Sequence, residues 1–194
     1  MLRLSLSDEC YLRLLEESDA EELHALIDAN RARLTPWMPW AAGQELDGTR
    51  EFLRVAQRQV DDNNGLQTAI VCGKRIVGVI GFHAVNWPHR STSIGYWLDE
   101  KHEGRGTMTR AVQTLVDHAL SVWMLNRVEI RVAPQNTRSR AIPERLGFRQ
   151  EGTLRQAERI GERYVDSVVY AVLSSDWPRP ATRAVNRKTT QPRR

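Results

Sequence analysis

Hydrophobic and polar positions along the chain change period several times, and those changes define its elements. Cys10 to Leu15 is a short apolar run and predicts a strand. The acidic segment Glu16-Glu17-Ser18-Asp19 opens a helix whose face carries Leu23, Leu26 and Ile27, with Ser18 or Asp19 as its N-cap. Pro36 and Pro39, interleaved with Trp37 and Trp40, stop it and predict a loop. A second helix starts at Thr49, carries Phe52, Leu53, Val55, Ala56 and Val60 inside it, and ends in Asp61-Asp62-Asn63-Asn64-Gly65. Three strands follow: Gln67 to Cys72, Arg75 to His83 after the two-residue turn Gly73-Lys74, and Thr92 to Leu98. These form an antiparallel meander.

The period then lengthens. Met108, Ala111, Val112, Leu115, Val116, Ala119, Leu120 and Trp123 recur at helical spacing, and a helix from Gly106 to Trp123 would be about 27 Å long. Val128, Ile130 and Val132 alternate with Glu129 and Arg131 as in a strand, so strand, helix and strand imply a parallel crossover. A short helix from about Ser139 to Leu146 ends at Gly147, and Gln150 to Ile160 with Arg163 to Leu173 makes a last hairpin around Gly161-Glu162. The sum is a mixed α/β (α+β) sheet of about seven strands and four helices: an antiparallel meander, then a parallel pair.

Composition narrows the class. The chain has 194 residues, enough for one domain, and ordinary apolar (41%) and charged (27%) fractions. No run of about 18 apolar residues is present, which excludes a transmembrane helix, and Met1 to Asp8 lacks a signal-peptide core. A cytoplasmic protein is expected. Neither Cys10 nor Cys72 has a partner at metal-ligand spacing, so no metal is expected and both read as buried free thiols. The net charge of +4 is carried by a tail with six basic residues and no acid after Asp176, which leaves −2 for the rest. The boundaries are thus a domain over 1–177 and a basic tail over 178–194, read as a solvated, disordered end or as a segment that touches a ribosome through counterion release.

The candidate chemistry lies before the long helix, in Glu103-Gly104-Arg105-Gly106-Thr107-Met108-Thr109. Two glycines let the backbone turn tightly and expose N–H groups at a helix N-terminus, an arrangement suited to a diphosphate. The same spacing also occurs in plain turns. It is neither a Walker loop, since no Gly-Lys-Ser/Thr follows, nor a dinucleotide fingerprint, since the preceding strands are antiparallel and the third glycine is missing.

Three stretches carry a family resemblance: IGYWLDEKHEGRGTMTRA, LNRVEIRVAPQNTRSRAIPERLGF and EGTLRQAERIGERYVDSVVY. In them the chain resembles the GNAT acetyltransferases, within these the Rim-type branch that acetylates ribosomal-protein N-termini, and most closely its serine-specific member. The resemblance implies acetyl-CoA as cosubstrate. Its diphosphate would lie on the amides of Gly104, Arg105, Gly106, Thr107, Met108 and Thr109. Its pantetheine would pair with the backbone of Tyr96, Trp97 and Leu98, and Asn136 would hydrogen-bond that arm. Glu103 and Met108 depart from the general superfamily pattern, and the Rim branch accepts both.

Most GNAT enzymes place a tyrosine seven residues after the asparagine, where this chain has Pro143. The resemblance instead implies Ser139 as the group that bonds or protonates the departing thiolate; read by itself, Ser139 also suits the N-cap of the short helix. Glu158 matches the carboxylate proposed as base in the serine-specific branch, and would otherwise be a surface glutamate paired with Arg155 or Arg163. Asp166, Tyr170 and His83 are secondary candidates, and Trp37, Trp40 and Trp87 are candidates for lining the acceptor cleft or packing a core. Direct transfer in a ternary complex to a protein N-terminal amine, such as a ribosomal serine N-terminus, is the expected reaction, and the resemblance implies a possible homodimer. The alternatives are an acetyltransferase of small amines (an antibiotic, toxin or polyamine) and a non-catalytic module binding a ribosome or RNA.

Overall fold

The computed structural model describes residues 2–178. All of the basic tail except Pro178 lies outside them, so its role falls outside the described residues. Eight strands form one sheet in the order β1-β2-β3-β4-β5-β6-β8-β7. They are β1 (Arg3–Ser5), β2 (Cys10–Leu14), β3 (Leu66–Cys72), β4 (Arg75–Phe82), β5 (Ser91–Leu98), β6 (Arg127–Val132), β7 (Arg149–Ile160) and β8 (Arg163–Leu173). The four helices are α1 (Ala20–Leu34), α2 (Leu46–Asp61), α3 (Thr107–Ser121) and α4 (Thr137–Arg145).

The expected order is present with one addition, β1. Only three residues long, it pairs Leu4 with Leu12 of β2, too short a run to separate from the alternation of Leu2, Leu4 and Leu6. α2 begins at Leu46 rather than Thr49, because Glu45 is the extended N-cap. Thr49 sits inside the first turn, with its hydroxyl bonded back to the Glu45 carbonyl at 3.2 Å. The Pro36–Trp40 segment becomes a loop ending in a 3-10 turn over Pro39–Gly43.

Cys10 and Cys72 are not free thiols. They are directly paired across β2 and β3 and form a disulfide, with Cα atoms 4.2 Å apart. Their 62-residue separation hid a juxtaposition that only the strand register creates.

Two cores flank the sheet. On one face α3 buries Ala111, Val112, Leu115, Val116 and Ala119 against Ile80, Phe82, Val128 and Ile130. On the other, α1 and α2 bury Leu23, Ile27 and Leu53 against Ala69, Val79 and Trp97. Beyond β5 that second face carries an ionic ladder: Arg127 bonds Glu129 (2.8 Å) and Glu151 (2.5 Å), and Arg131 bonds Glu129 (3.0 Å).

The feature that positions the site is a splay. β5 pairs in parallel with β6 only through Ser91, Thr92 and Ser93. From Ile94 to Leu98, β5 pairs only with β4, while β6 continues along β8 as far as Val132. A wedge therefore opens between β5 and β6 toward their C-terminal ends.

Candidate active site

The wedge is the mouth of a cleft of about 990 Å³. Tyr96, Trp97 and Leu98 form one wall, the loop from Glu103 to Thr109 its floor, and Asn136 and Ser139 of the α4 start face them. Of the cofactor-binding residues expected from sequence, only Arg105 does not face this cleft; it is exposed, and its carbonyl accepts from Arg110 at 3.1 Å.

The loop geometry follows from its glycines. Gly104 and Gly106 have φ of 73° and 72°, a left-handed backbone that other residues adopt only at a cost. Gly106 is the N-cap of α3, and the first bond of the helix runs from the Arg110 N–H to the Gly106 carbonyl at 3.0 Å. The amides of Thr107, Met108 and Thr109 therefore have no helical acceptor. No acid occupies the first turn of α3 to satisfy its positive end. Four arginines (Arg33, Arg110, Arg138 and Arg145) and two glutamates (Glu100 and Glu103) line the cleft. A polyanion with a long, partly apolar arm fits this surface.

The loop is tied to both flanking helices. Glu103 accepts from Arg33 of α1 at 2.5 Å and from Arg138 of α4 at 2.8 Å. Arg33 also bonds the Leu98 carbonyl and the Asn30 side chain. Asn30, itself buried, donates to Asp99 at 3.0 Å and accepts from the Glu100 N–H at 3.1 Å. Burial pushes the Asp99 carboxyl up, but the bonds from Asn30 and His102 outweigh it and hold it below its usual value. This network fixes the end of β5 against α1, and it engages the Leu98 carbonyl that an incoming extended arm would otherwise meet.

Across the wedge, Asn136 is the N-cap of α4: its Oδ1 accepts the Ser139 N–H at 3.2 Å. Ser139 is therefore not the cap, and its hydroxyl is not tied to the start of the helix. It donates to the Tyr96 hydroxyl at 3.2 Å, and Tyr96 donates to the Ser139 carbonyl at 3.1 Å. Burial pushes the Tyr96 phenol up to about 12, with the Ser139 bond opposing it, so it stays protonated at neutral pH. Pro143 lies inside α4 and is buried. The helix ends on Gly147 (φ 79°), with the Phe148 N–H bonded to the Pro143 carbonyl at 2.9 Å.

Glu158 is not in this cleft. It is exposed on β7, beside a bulge where Gln156 has φ 50°. Asp166 anchors that bulge by accepting the Gln156 N–H at 2.8 Å. His83 lies over Gly95 of β5 and bonds Ser93 at 3.0 Å. Partial burial and the nearby Arg131 lower the His83 pKa, and Glu158 opposes them. Glu158 is thus close enough for its charge to act on His83, with no hydrogen bond between them among the described residues, whereas the Tyr96–Ser139 couple lies at the cleft. Tyr170 braces α4, donating to Glu144 at 2.6 Å and accepting from Arg140 at 2.9 Å. Trp37 lines the cleft, Trp40 is exposed, and Trp87 packs on Trp123 far from it.

Sequence reasoning missed the four cleft arginines and the role of the Tyr96 hydroxyl. Arg33 and Glu103 are 70 positions apart, and no local signal joins them. Arg110 does carry one: it is a cation in the first turn of a helix, where acids are favoured.

Residues 10–149 match a family described as an acetyltransferase (GNAT) domain. The putative ribosomal N-acetyltransferase YdaF of Bacillus subtilis is 35% identical over 91% of this chain and 98% of its own length. The ribosomal-protein-serine acetyltransferase of Escherichia coli is 29% identical over 87% of this chain and 94% of its own. A solved structure of RimL, the ribosomal L7/L12 alpha-N-protein acetyltransferase, in complex with coenzyme A superposes with a TM-score of 0.85 at 28% identity, covering 89% of this chain and 98% of that one.

Proposed function

Because the chain belongs to the GNAT acetyltransferase family and is an acetyl-CoA-dependent N-acetyltransferase, we propose that its acceptor is the N-terminal amine of a ribosomal protein, with serine as first residue, in the cytoplasm. The observation that carries this reading is the two-sided site: a cofactor cleft with the Tyr96–Ser139 couple, and an exposed β7 on which Glu158 stands outside that cleft, close enough for its charge to act on His83. A peptide end can reach the wedge along that exposed side, since α1 and α2 pack on the other half of the sheet. The likeness to a ribosomal-protein-serine acetyltransferase supports the choice of acceptor.

Acetyl-CoA supplies the activated acyl group. The loop amides from Gly104 to Thr109 hold its diphosphate, the β5 edge at Tyr96, Trp97 and Leu98 guides the extended arm as an added strand would, and Asn136 bonds that arm. A protein α-amine has a pKa of about 7.7–8.0, so only modest assistance is needed to free its lone pair. Glu158, through water, takes that proton. The nitrogen attacks the thioester carbon, the C–N bond forms, the nitrogen's second proton passes to solvent, the C–S bond breaks, and Ser139 hydrogen-bonds the departing thiolate. No cysteine lines the cleft, so transfer is direct.

The test is a panel of N-terminal peptides and small amines assayed with the parent and with Glu158→Gln. Preferred acetylation of Ser-initiated ribosomal peptides, with a loss of about 100-fold or more in Glu158→Gln, supports the reading. A polyamine or antibiotic as the best acceptor, or an unimpaired Glu158→Gln, defeats it.

A further inference from the structure

We infer that the Arg110 guanidinium is the side-chain clamp of the cofactor diphosphate, closing over it from the side opposite the loop amides. This rests on the reading that the Gly104–Thr109 loop holds the diphosphate.

Arg110 lines the cleft from the first turn of α3. Its guanidinium lies over the loop: a methyl group placed on Gly106 would come within 3.1 Å of Arg110 Nη1. Its own bonding is poor. Nη2 donates to the Arg105 carbonyl at 3.1 Å, and the buried Nε has no acceptor among the described residues. Nor does Arg110 take part in any ion pair among those residues, because both oxygens of the neighbouring Glu103 are engaged by Arg33 and Arg138. A half-buried cation with no counter-ion, set at the positive end of a helix that has no acid in its first turn, is electrostatically unfavourable in the free protein. A doubly charged anion resting on the amides of Thr107 to Thr109 would reverse that sign and give Nε and Nη1 their acceptors. The position over Gly106 puts the guanidinium at the loop proposed to hold the diphosphate.

The experiment compares the parent with Arg110→Gln by calorimetric titration with CoA, dephospho-CoA and pantetheine, and by thermal melting without ligand. The expected result is a loss of about tenfold or more in affinity for CoA and dephospho-CoA alike, with pantetheine unaffected. The ligand-free melting temperature should stay level or rise by about 1–3 °C as the unfavourable charge is removed. Unchanged CoA binding overturns the assignment. So does a loss confined to CoA, which would place Arg110 on the 3′-phosphate, and so does a lowered melting point with all three ligands weakened, which would make Arg110 structural. Gly106→Val separately tests the loop. If it binds CoA normally, the loop reading fails whatever Arg110 does.

Discussion

Replacing Ser139 by alanine tests the leaving-group side of the reaction, and the structure sets the size of the effect. Two roles for the hydroxyl differ in magnitude. Full proton transfer by a general acid contributes about 10²–10⁴ in rate, whereas a hydrogen bond to a charged group contributes about 1.5–3 kcal/mol, or about 10- to 150-fold. Tyr96, the one titratable group bonded to Ser139, has its phenol raised to about 12. An ordinary thiol titrates near 8.5, so passing a proton from Tyr96 through Ser139 to the thiolate is uphill by about 5 kcal/mol. In the proposed role the couple therefore solvates the thiolate rather than neutralising it. Ser139→Ala should lower kcat by about 10- to 150-fold with little change in KM for acetyl-CoA, because the thioester sulfur accepts hydrogen bonds poorly until charge develops. Tyr96→Phe acts through Ser139, by removing the oxygen to which its hydroxyl is bonded, and should cost less than tenfold. The double variant should be no worse than Ser139→Ala alone, since the two hydroxyls form one unit. The assay is steady-state release of free thiol at saturating peptide, with single-turnover runs confirming that chemistry limits the rate. A kcat within twofold of the parent, a loss well beyond 10³, or additive losses in the double variant would each refute the argument.

Three further outcomes follow from the same structure. Closing a loop of about 60 residues restricts the unfolded chain by about 4 kcal/mol, so reducing the Cys10–Cys72 bond, or Cys10→Ser with Cys72→Ser, should lower the denaturant midpoint; equal midpoints with and without reductant would show that the bond does not form in solution. Burial lowers the pKa of both His83 and His118 below the ordinary value of about 6.5. The unfolded chain then binds the more protons on acidification, and stability should fall as pH drops through about 6.5 toward the folded values; urea midpoints at pH 7.5 and 5.5 check the sign, and His118→Gln should flatten the slope. Asn136→Ala removes the cap of α4, which is worth about 1 kcal/mol, and misplaces Ser139; a raised KM for acetyl-CoA together with a lowered melting temperature is expected, and an unchanged KM would remove Asn136 from the cofactor site.

Periodicity made the sheet and helices legible because the core alternates cleanly: α3 shows its buried stripe at every third or fourth residue, and β6 its alternation. The loop was equally visible, since left-handed backbone at 104 and 106 leaves few choices but glycine. What stayed hidden depends on register. Cys10 meets Cys72 only because β2 and β3 align as they do, and Glu103 receives arginines from two helices 35 and 70 residues away.

The same distinction explains why the N-cap role that the sequence allowed for Ser139 belongs to Asn136 in the structure. A serine three residues after an asparagine at a helix start can cap or be capped. Here the Asn136 side chain takes the Ser139 N–H, which fixes Ser139 in the first turn and turns its hydroxyl toward β5, where Tyr96 waits on the free side of the splay. Capping thereby falls to Asn136, which leaves the Ser139 hydroxyl available for the role proposed for it. That arrangement holds only while β5 and β6 stay apart beyond Ser93. Were their pairing to continue toward Tyr96 and Val132, the wedge would close, so the early end of that parallel ladder is the structural condition for the site.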